Sequence, residues 1–414
     1  MTTAEIVTYT IVFFALYVQL FFLWTFFERR KDLKELSSEE PVLTAFPSVA
    51  VIVPCWNEEK TVHGTVESLL ALDYPKDKLQ LVLVDDGSTD TTWEEILHYK
   101  DHPQIKIFQK ENGGKHTAVN YGIEHTQSDF ISCLDADSFV AVDALKRIMY
   151  TFEKDPEVMA VAPSIIIASP KNIMQSIQKV EYNMSLYNKR MLAFLDAIHV
   201  TPGPFSVFKR EVFDRIGGFR KAHNTEDAEI AFRMQVNHMR IDHCYMAQVY
   251  TVPPDSAYKL YKQRLRWTYG FLQNVIDYRK YIFKGEYGNF ALFTVPAGVI
   301  SILTAIYIFG LFIYQTLHGI YKWILQIQAA GFHITAHSFH FDPFFLNTRI
   351  ITIVGILLYG FLFFAIINGQ KLAQEKTVFS KYVIPYMIIY SIIAPFWLIR
   401  AVYNVVAAKK PSWR

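Results

Sequence analysis

LQLVLVDDGS, residues 79–88, is a near-continuous apolar run that ends abruptly in two carboxylates, a glycine and a hydroxyl. A strand with one wet face alternates apolar and polar residues, whereas a run like this one belongs to a strand buried on both faces of a sheet. The same unit recurs on either side. VAVIV (residues 49–53) precedes a helical pattern over 58–72; a helix over 90–99 leads to IKIF (105–108); a helix over 116–125 leads to FISCL (130–134). Apolar strands separated by helices predict a parallel, doubly covered α/β sheet.

In such sheets ligands bind beyond the carboxyl ends of the strands. Four of the turns there are polar: Asn57-Glu58, Asp85-Asp86-Gly87-Ser88, Asn112-Gly113-Gly114-Lys115 and Asp135-Ala136-Asp137. Singly, the second is ordinary turn and helix-cap chemistry, and the third lacks the spacing of a phosphate-binding Walker loop. The fourth is sharper, although a solvated turn remains the plain alternative. Residues i and i+2 leaving a strand point the same way, so Asp135 and Asp137 converge, and two like charges in a cleft call for a cation. Oxygen ligands with open positions suit Mg²⁺ or Mn²⁺ shared with a substrate's phosphates.

The rest of the chain points to lipid. Its 414 residues are 51% hydrophobic, with 33 Phe and 24 Tyr, and the mean hydropathy is +0.15. The net charge of +2 gives no sign of a nucleic-acid partner. Cys55, Cys133 and Cys244 are scattered and odd in number, as reduced buried thiols rather than a disulfide framework or zinc site. Residues 6–27 carry no charge and are long enough to span; MTTAE before them and FFERRK after them suit a retained anchor, not a cleaved signal. Further apolar stretches cover 290–314, 350–367 and 383–406, with 320–330 an ambiguous amphipathic segment. Arg29, Arg30, Lys31 and Lys34, then Arg279, Lys280 and Lys284, then Lys371, Lys376 and Lys381 place the intervening domain in the cytoplasm. Lys409, Lys410 and Arg414 do not fit: four spans put them outside, so either the charge rule fails there or one segment lies in the interface.

KQRLRWTYGF, residues 262–271, precedes the second apolar stretch. Arg264, Arg266, Trp267 and Tyr269 can be read as an interfacial cationic and aromatic belt. Gln263, Arg266 and Trp267 also share one helix face, on which arginine can grip a diphosphate and tryptophan can stack on a sugar.

The order Asp85-Asp86, Asp135-x-Asp137, Thr225-Glu226-Asp227 and Gln263-x-x-Arg266-Trp267 resembles the membrane-embedded processive family 2 glycosyltransferases that make cellulose, chitin, hyaluronan and poly-N-acetylglucosamine. The resemblance implies a Rossmann-like GT-A glycosyltransferase domain with transmembrane helices before and after it. It divides the chain into an anchor and basic linker (1–46), a cytoplasmic catalytic domain (47–254), interfacial helices with the QxxRW motif (255–289) and a C-terminal transmembrane region (290–414). Asn57, Glu58, Asp85, Asp86, Lys115 and Asp135 would contact a UDP-sugar donor, Asp137 its metal, and Gln263, Arg266 and Trp267 would close the site. Asp227, with Glu226 beside it, would be the general base, kept ionised by the helix N-terminus it occupies. In VTPGPFSVF (200–208), Gly203 and Pro204 would line the acceptor site together with Trp267, while Phe205 and Phe208 are read as core. Gly217 and Gly218 are read as turn glycines, His223 as a loop residue and Arg264 as facing lipid headgroups.

The implied function is an inverting, metal-dependent synthase that extends a β-linked polysaccharide from a UDP-hexose or UDP-N-acetylhexosamine and passes it across the membrane. Two alternatives stand beside it: transfer of a single sugar to a lipid acceptor, and a channel or transporter with a nucleotide-binding regulatory domain.

Overall fold

The computed structural model describes residues 3–38, 40–331, 350–377 and 380–410. A long apolar helix α1 (Thr3–Glu28) and a short polar α2 (Arg30–Ser38) lead into the sheet. Then β1 (Val49–Cys55), α3 (Val62–Leu70), β2 (Leu79–Asp85), α4 (Thr92–Leu97), β3 (Ile105–Gln109), α5 (Lys115–Glu124) and β4 (Phe130–Cys133) follow in strict alternation. Strands β3, β2, β1 and β4 lie side by side in that order, all parallel. Val49, Val51, Ile52 and Val53 on β1 and Leu81, Val82, Leu83 and Val84 on β2 have no exposed surface. Each such side chain stabilises the fold by about 1.5–3 kcal/mol relative to exposure.

The chain then leaves the parallel pattern. After β5 (Phe139–Val140), α6 (Ala144–Lys154), β6 (Val158–Ile166) and α7 (Ile173–Phe194) comes β7 (Val207–Lys209), which pairs antiparallel with both β4 and β6. Helices α8 (Arg210–Ile216) and α9 (Glu226–Val236) precede β8 (Arg240–Tyr250), which completes an eight-stranded mixed sheet in the order β3-β2-β1-β4-β7-β6-β8-β5. The fully parallel sheet expected from sequence is therefore confined to its first four strands. Beyond them only β7 and β5 run against the rest: β7 is antiparallel to β4 and β6 and β5 to β8, while β6 and β8 keep the direction of the first four.

Since β2 and β3 are added on one side of β1 and β4 on the other, the strand order switches between β1 and β4. Crevices form at such points, at the carboxyl ends. Phe205 and Phe208 are core side chains, as read from sequence, and Gly217 ends α8 at φ +77°. His223 sits in a short 3-10 turn. All three cysteines are free, Cys55 and Cys133 buried and Cys244 half-buried.

Helix α10 (Ala257–Asp277) follows β8, then α11 (Val295–Ala330), α12 (Ile350–Leu372) and α13 (Val383–Val406). Residues 320–330 continue α11 rather than forming a separate element. Among the described residues, Glu5–Glu28, Phe290–Ala329, Thr352–Leu372 and Val383–Val406 are long and apolar enough to cross a membrane. Arg414 of the basic tail lies outside the described residues.

Candidate active site

The carboxyl edge of β1 and β2 is a rigid frame. Asp86, at the end of β2, is buried and accepts hydrogen bonds from the backbone N–H of Gly113 (3.1 Å) and Gly114 (2.8 Å) and from Lys110 Nζ (2.7 Å). Gly114 has φ +91°, a conformation costly for any other residue, so the pair of amides can close on one carboxylate. Asp85 is fully buried and accepts from the Ser88 amide and Gln109 Nε2 (3.1 Å). Asn57, at φ +56°, ties the first turn to the second by accepting from the Thr89 amide at 2.8 Å. Glu58 accepts from Thr61 Oγ1 at 2.5 Å. Burial raises the Glu58 pKa despite that bond, with Asp137 and Asp135 adding to the rise.

Beside this frame opens a cavity of about 740 Å³. It brings together Lys115, Asp135, Asp137, Gly203, Pro204, Glu226, Asp227, Gln263, Arg266 and Trp267, ten of the fourteen residues singled out from sequence. The other four, Asn57, Glu58, Asp85 and Asp86, stand at the adjoining ends of β1 and β2 and do not line it. Lys115, at the start of α5, forms an ion pair with Asp135 and lies 3.7 Å from Glu226. Burial disfavours its charge, but Asp135 and Glu226 outweigh that and hold it well above the ordinary lysine range. Gly203 passes directly over this pair; a Cβ there would come within 2.7 Å of Lys115 Nζ. Asp137 accepts from Ser138 Oγ at 3.2 Å and feels the charge of Lys115, which is paired with Asp135. Burial, then Asp135, raise its pKa.

Across the cavity, Asp227 lies in the first turn of α9, accepting from the Ala228 amide at 2.9 Å. Its backbone carbonyl holds the 200–204 loop through the Thr201 amide and hydroxyl. Sequence reasoning gave the helix terminus the decisive effect on this carboxylate. Burial and the neighbouring Glu226 outweigh it, and the pKa rises to about 6 even with Lys115 and Arg266 working in the opposite direction. A carboxylate so tuned is still mostly ionised at pH 7 and can accept a proton more readily than an ordinary aspartate.

Helix α10 closes the cavity. Gly270 lies against Thr225, where a Cβ would come within 2.3 Å of its side chain, and Arg266 donates to the Asn224 carbonyl at 3.0 Å. The indole of Trp267 is 39% exposed, with the Arg264 guanidinium 4.2 Å from its centroid. Arg264 does not face lipid headgroups. It is 5% exposed and makes a two-point ion pair with Glu181 of α7, which also accepts from the Tyr390 hydroxyl at 2.7 Å. Tyr269 is likewise buried, packed on Trp397 and Ala401. The belt reading fails for both because α7 and α13 supply partners for this face. Removing one member of a buried pair leaves an uncompensated charge, so Glu181→Ala should destabilise the protein by about 3 kcal/mol or more, read as a lowered unfolding midpoint in detergent. A midpoint equal to wild type would show that water replaces the pair.

Sequence reasoning missed α7. Glu181, Ser185, Asn188 and Lys189 recur at helical spacing and line the cavity, as does His199 just beyond. Burial lowers the Lys189 pKa to about 8 against the pull of Asp227, and burial, then Lys189, lowers that of His199 to about 4. A polar stripe at i, i+4, i+7 and i+8 was the available signal.

An α/β sheet with carboxylates at its switch point and a cavity closed by an amphipathic helix matches the GT-A type of glycosyltransferase fold. Residues 50–217 match the sequence profile of Glycosyl transferase family 2. Residues 50–217 thus carry a family 2 glycosyltransferase domain. The chain is 28% identical over 261 residues to a poly-beta-1,6-N-acetyl-D-glucosamine synthase of Staphylococcus epidermidis, covering 63% of each chain. To the enzyme so described in Staphylococcus aureus (strain COL) it is 32% identical over 225 residues, covering 54% of each. The alignments thus span between half and two thirds of these relatives' lengths. In fold it is similar to the mannosyltransferase PcManGT of Pyrobaculum calidifontis, solved in complex with GDP-Man and Mn²⁺, with a TM-score of 0.58, 20% identity, and coverage of 96% of this chain and 99% of that one.

Proposed function

We propose that this enzyme transfers a hexose or N-acetylhexosamine from its UDP derivative to the hydroxyl of a growing glycan, with inversion, and repeats the step to build a β-linked polymer. The observation that carries the reading is the placement of Asp227 across one cavity from Lys115, Asp135 and Asp137. An acceptor hydroxyl held near Asp227 loses its proton to that carboxylate as it attacks the anomeric carbon. The bond to the diphosphate breaks on the opposite side, facing Lys115 and Asp137. Lys115 and Arg266 are the cations available to the departing charge. Gly203 and Pro204 line the acceptor side.

The donor set fits a hard divalent cation only in part. Among the described residues no three acidic, His or Cys side chains converge on one point. Asp137, with a free carboxylate oxygen beside Asp135, could hold Mg²⁺ or Mn²⁺ only together with substrate oxygens, as suits a cation shared with a diphosphate. Such a cation would supply further counter-charge to UDP.

The single-sugar alternative draws on one feature: the cavity reaches Phe271, Gly298 and Ile302, where α11 enters the apolar region, so a lipid-linked acceptor has an approach. Product size separates the two readings. Radiolabelled donor should end in material of high molecular mass; label confined to one glycolipid would replace the polymer reading.

Trp267 tests the acceptor side. The indole presents to the cavity the surface that Arg264 does not cover, and stacking of this kind is worth roughly 1–3 kcal/mol in nucleic-acid systems. Trp267→Ala should bind UDP but make no polymer, and Trp267→Phe should make short chains slowly. Normal chain length from both would remove Trp267 from the acceptor site. The pH profile tests the base. As pH falls through about 6, Asp227 takes up a proton and turnover should drop; a profile flat between pH 5 and 7 would contradict its role.

A further inference from the structure

A second cavity, of about 900 Å³, shares a wall with the catalytic one. Residues 222–224 line it, while the next three, 225–227, line the catalytic cavity. The rest of its surface comes from the end of α8, from α9, from the residues after α10 and from Lys410 beyond α13. Arg215, Arg220, Lys221, Arg233, Lys280 and Lys410 bring six cations to it, against two carboxylates, Glu229 and Asp277. Both carboxylates are already engaged. Glu229 pairs with Arg233 at 2.9 Å and with Arg220 at 3.4 Å, and accepts from the Tyr278 hydroxyl at 2.7 Å. Asp277 lies 2.9 Å from His223 Nε2. Arg215 pairs with Glu211. Among the described residues, Lys221, Lys280 and Lys410 have no carboxylate partner, and Arg233, 5% exposed, leaves its Nε without a hydrogen-bond partner.

We propose that this cavity binds a phosphate-bearing anion through Lys221, Lys280 and Lys410, at a site separate from the catalytic one, and that its occupancy steadies the segment that delivers Asp227. Three unpaired cations from segments far apart in sequence meet at one volume, where like charges repel until an anion neutralises them. The volume is that of a small-ligand site. A phosphate suits it better than a carboxylate, since it carries up to two charges and three acceptor oxygens for several donors at once.

The shared wall is also the strained part of the chain. Ala222, His223 and Asn224 take φ of +36°, +57° and +62° in succession, a region that residues other than glycine seldom enter and that persists only where the surroundings hold it. Three contacts do so here. The Thr225 hydroxyl donates to the Ala222 carbonyl at 3.0 Å, Arg266 donates to the Asn224 carbonyl at 3.0 Å, and His223 meets Asp277. An anion on Lys221, the residue before this run, adds a fourth tether at its start. Since the run leads directly into Thr225, Glu226 and Asp227, ligands on its two sides act on each other's affinity reciprocally. The phosphate has two possible sources, a soluble ligand or the headgroup of an anionic lipid.

The test follows hydrogen exchange of the full chain in phosphatidylcholine nanodiscs, without divalent cations. Inorganic pyrophosphate should slow amide exchange across residues 219–226 severalfold in the wild type. The slowing should vanish in Lys221→Gln/Lys280→Gln/Lys410→Gln and persist in Lys115→Gln, which removes a cation from the catalytic cavity instead. A second arm replaces pyrophosphate with nanodiscs containing phosphatidylglycerol. Slowing in that arm that the triple variant loses assigns the phosphate to a lipid headgroup; slowing with pyrophosphate alone assigns it to a soluble ligand. No slowing in either arm, or slowing that the triple variant retains, would overturn the inference. Neither arm depends on sugar transfer.

Discussion

Asp227→Asn is expected to lower turnover by about 10²-fold or more while UDP-sugar affinity stays near that of wild type. The substitution keeps the shape and the bond from the Ala228 amide and removes only the ability to take a proton. In the proposed reaction Asp227 serves the acceptor and Lys115 and Asp135 the donor, all lining the same cavity. Loss of donor binding in parallel with turnover would make Asp227 a structural residue that anchors the 200–204 loop through its carbonyl.

Asp137→Asn should abolish turnover together with the metal dependence of UDP binding, with the fold intact. Burial, then Asp135, oppose the charge of Asp137, and the Ser138 hydroxyl, the nearby Lys115 and a backbone hydrogen bond only partly offset them. A group held in that state gains from a cation, whereas the uncharged amide loses nothing structural. Titrating Mg²⁺ or Mn²⁺ against UDP binding by calorimetry reads this directly. An unchanged metal requirement in the variant would sink the assignment of Asp137.

The four parallel strands and their polar turns were legible because each is a local signal: a short apolar run, then the residues that leave it. The mixed half of the sheet was not. Strand β8 alternates buried and half-buried residues along RIDHCYMAQVY, and β7 is three residues long and defined only by its neighbours. The site was legible to the same extent. Ten of the fourteen candidate residues line one cavity because the sheet topology brings strand ends and the first turn of α9 to one edge. Arg264 was misread because its partner, Glu181, lies 83 residues away on a helix with no motif. The direction in which the Asp227 pKa moves, though not its ionised state at pH 7, was misread for a related reason. A helix terminus can be seen in sequence, while the burial that outweighs it comes from α10 and the 200–204 loop packing around it.

The most direct measurement is UDP release by purified protein offered a panel of UDP-hexoses and UDP-N-acetylhexosamines, with wild type and Asp227→Asn run side by side at pH 7.5 with Mg²⁺ or Mn²⁺. Wild type should release UDP with one or a few of these donors, in step with the appearance of glycan, and the variant should stay near background despite binding the same donor. Equal release by the two proteins, or no release by wild type with any donor, would contradict base-assisted transfer from a UDP-sugar in this cavity.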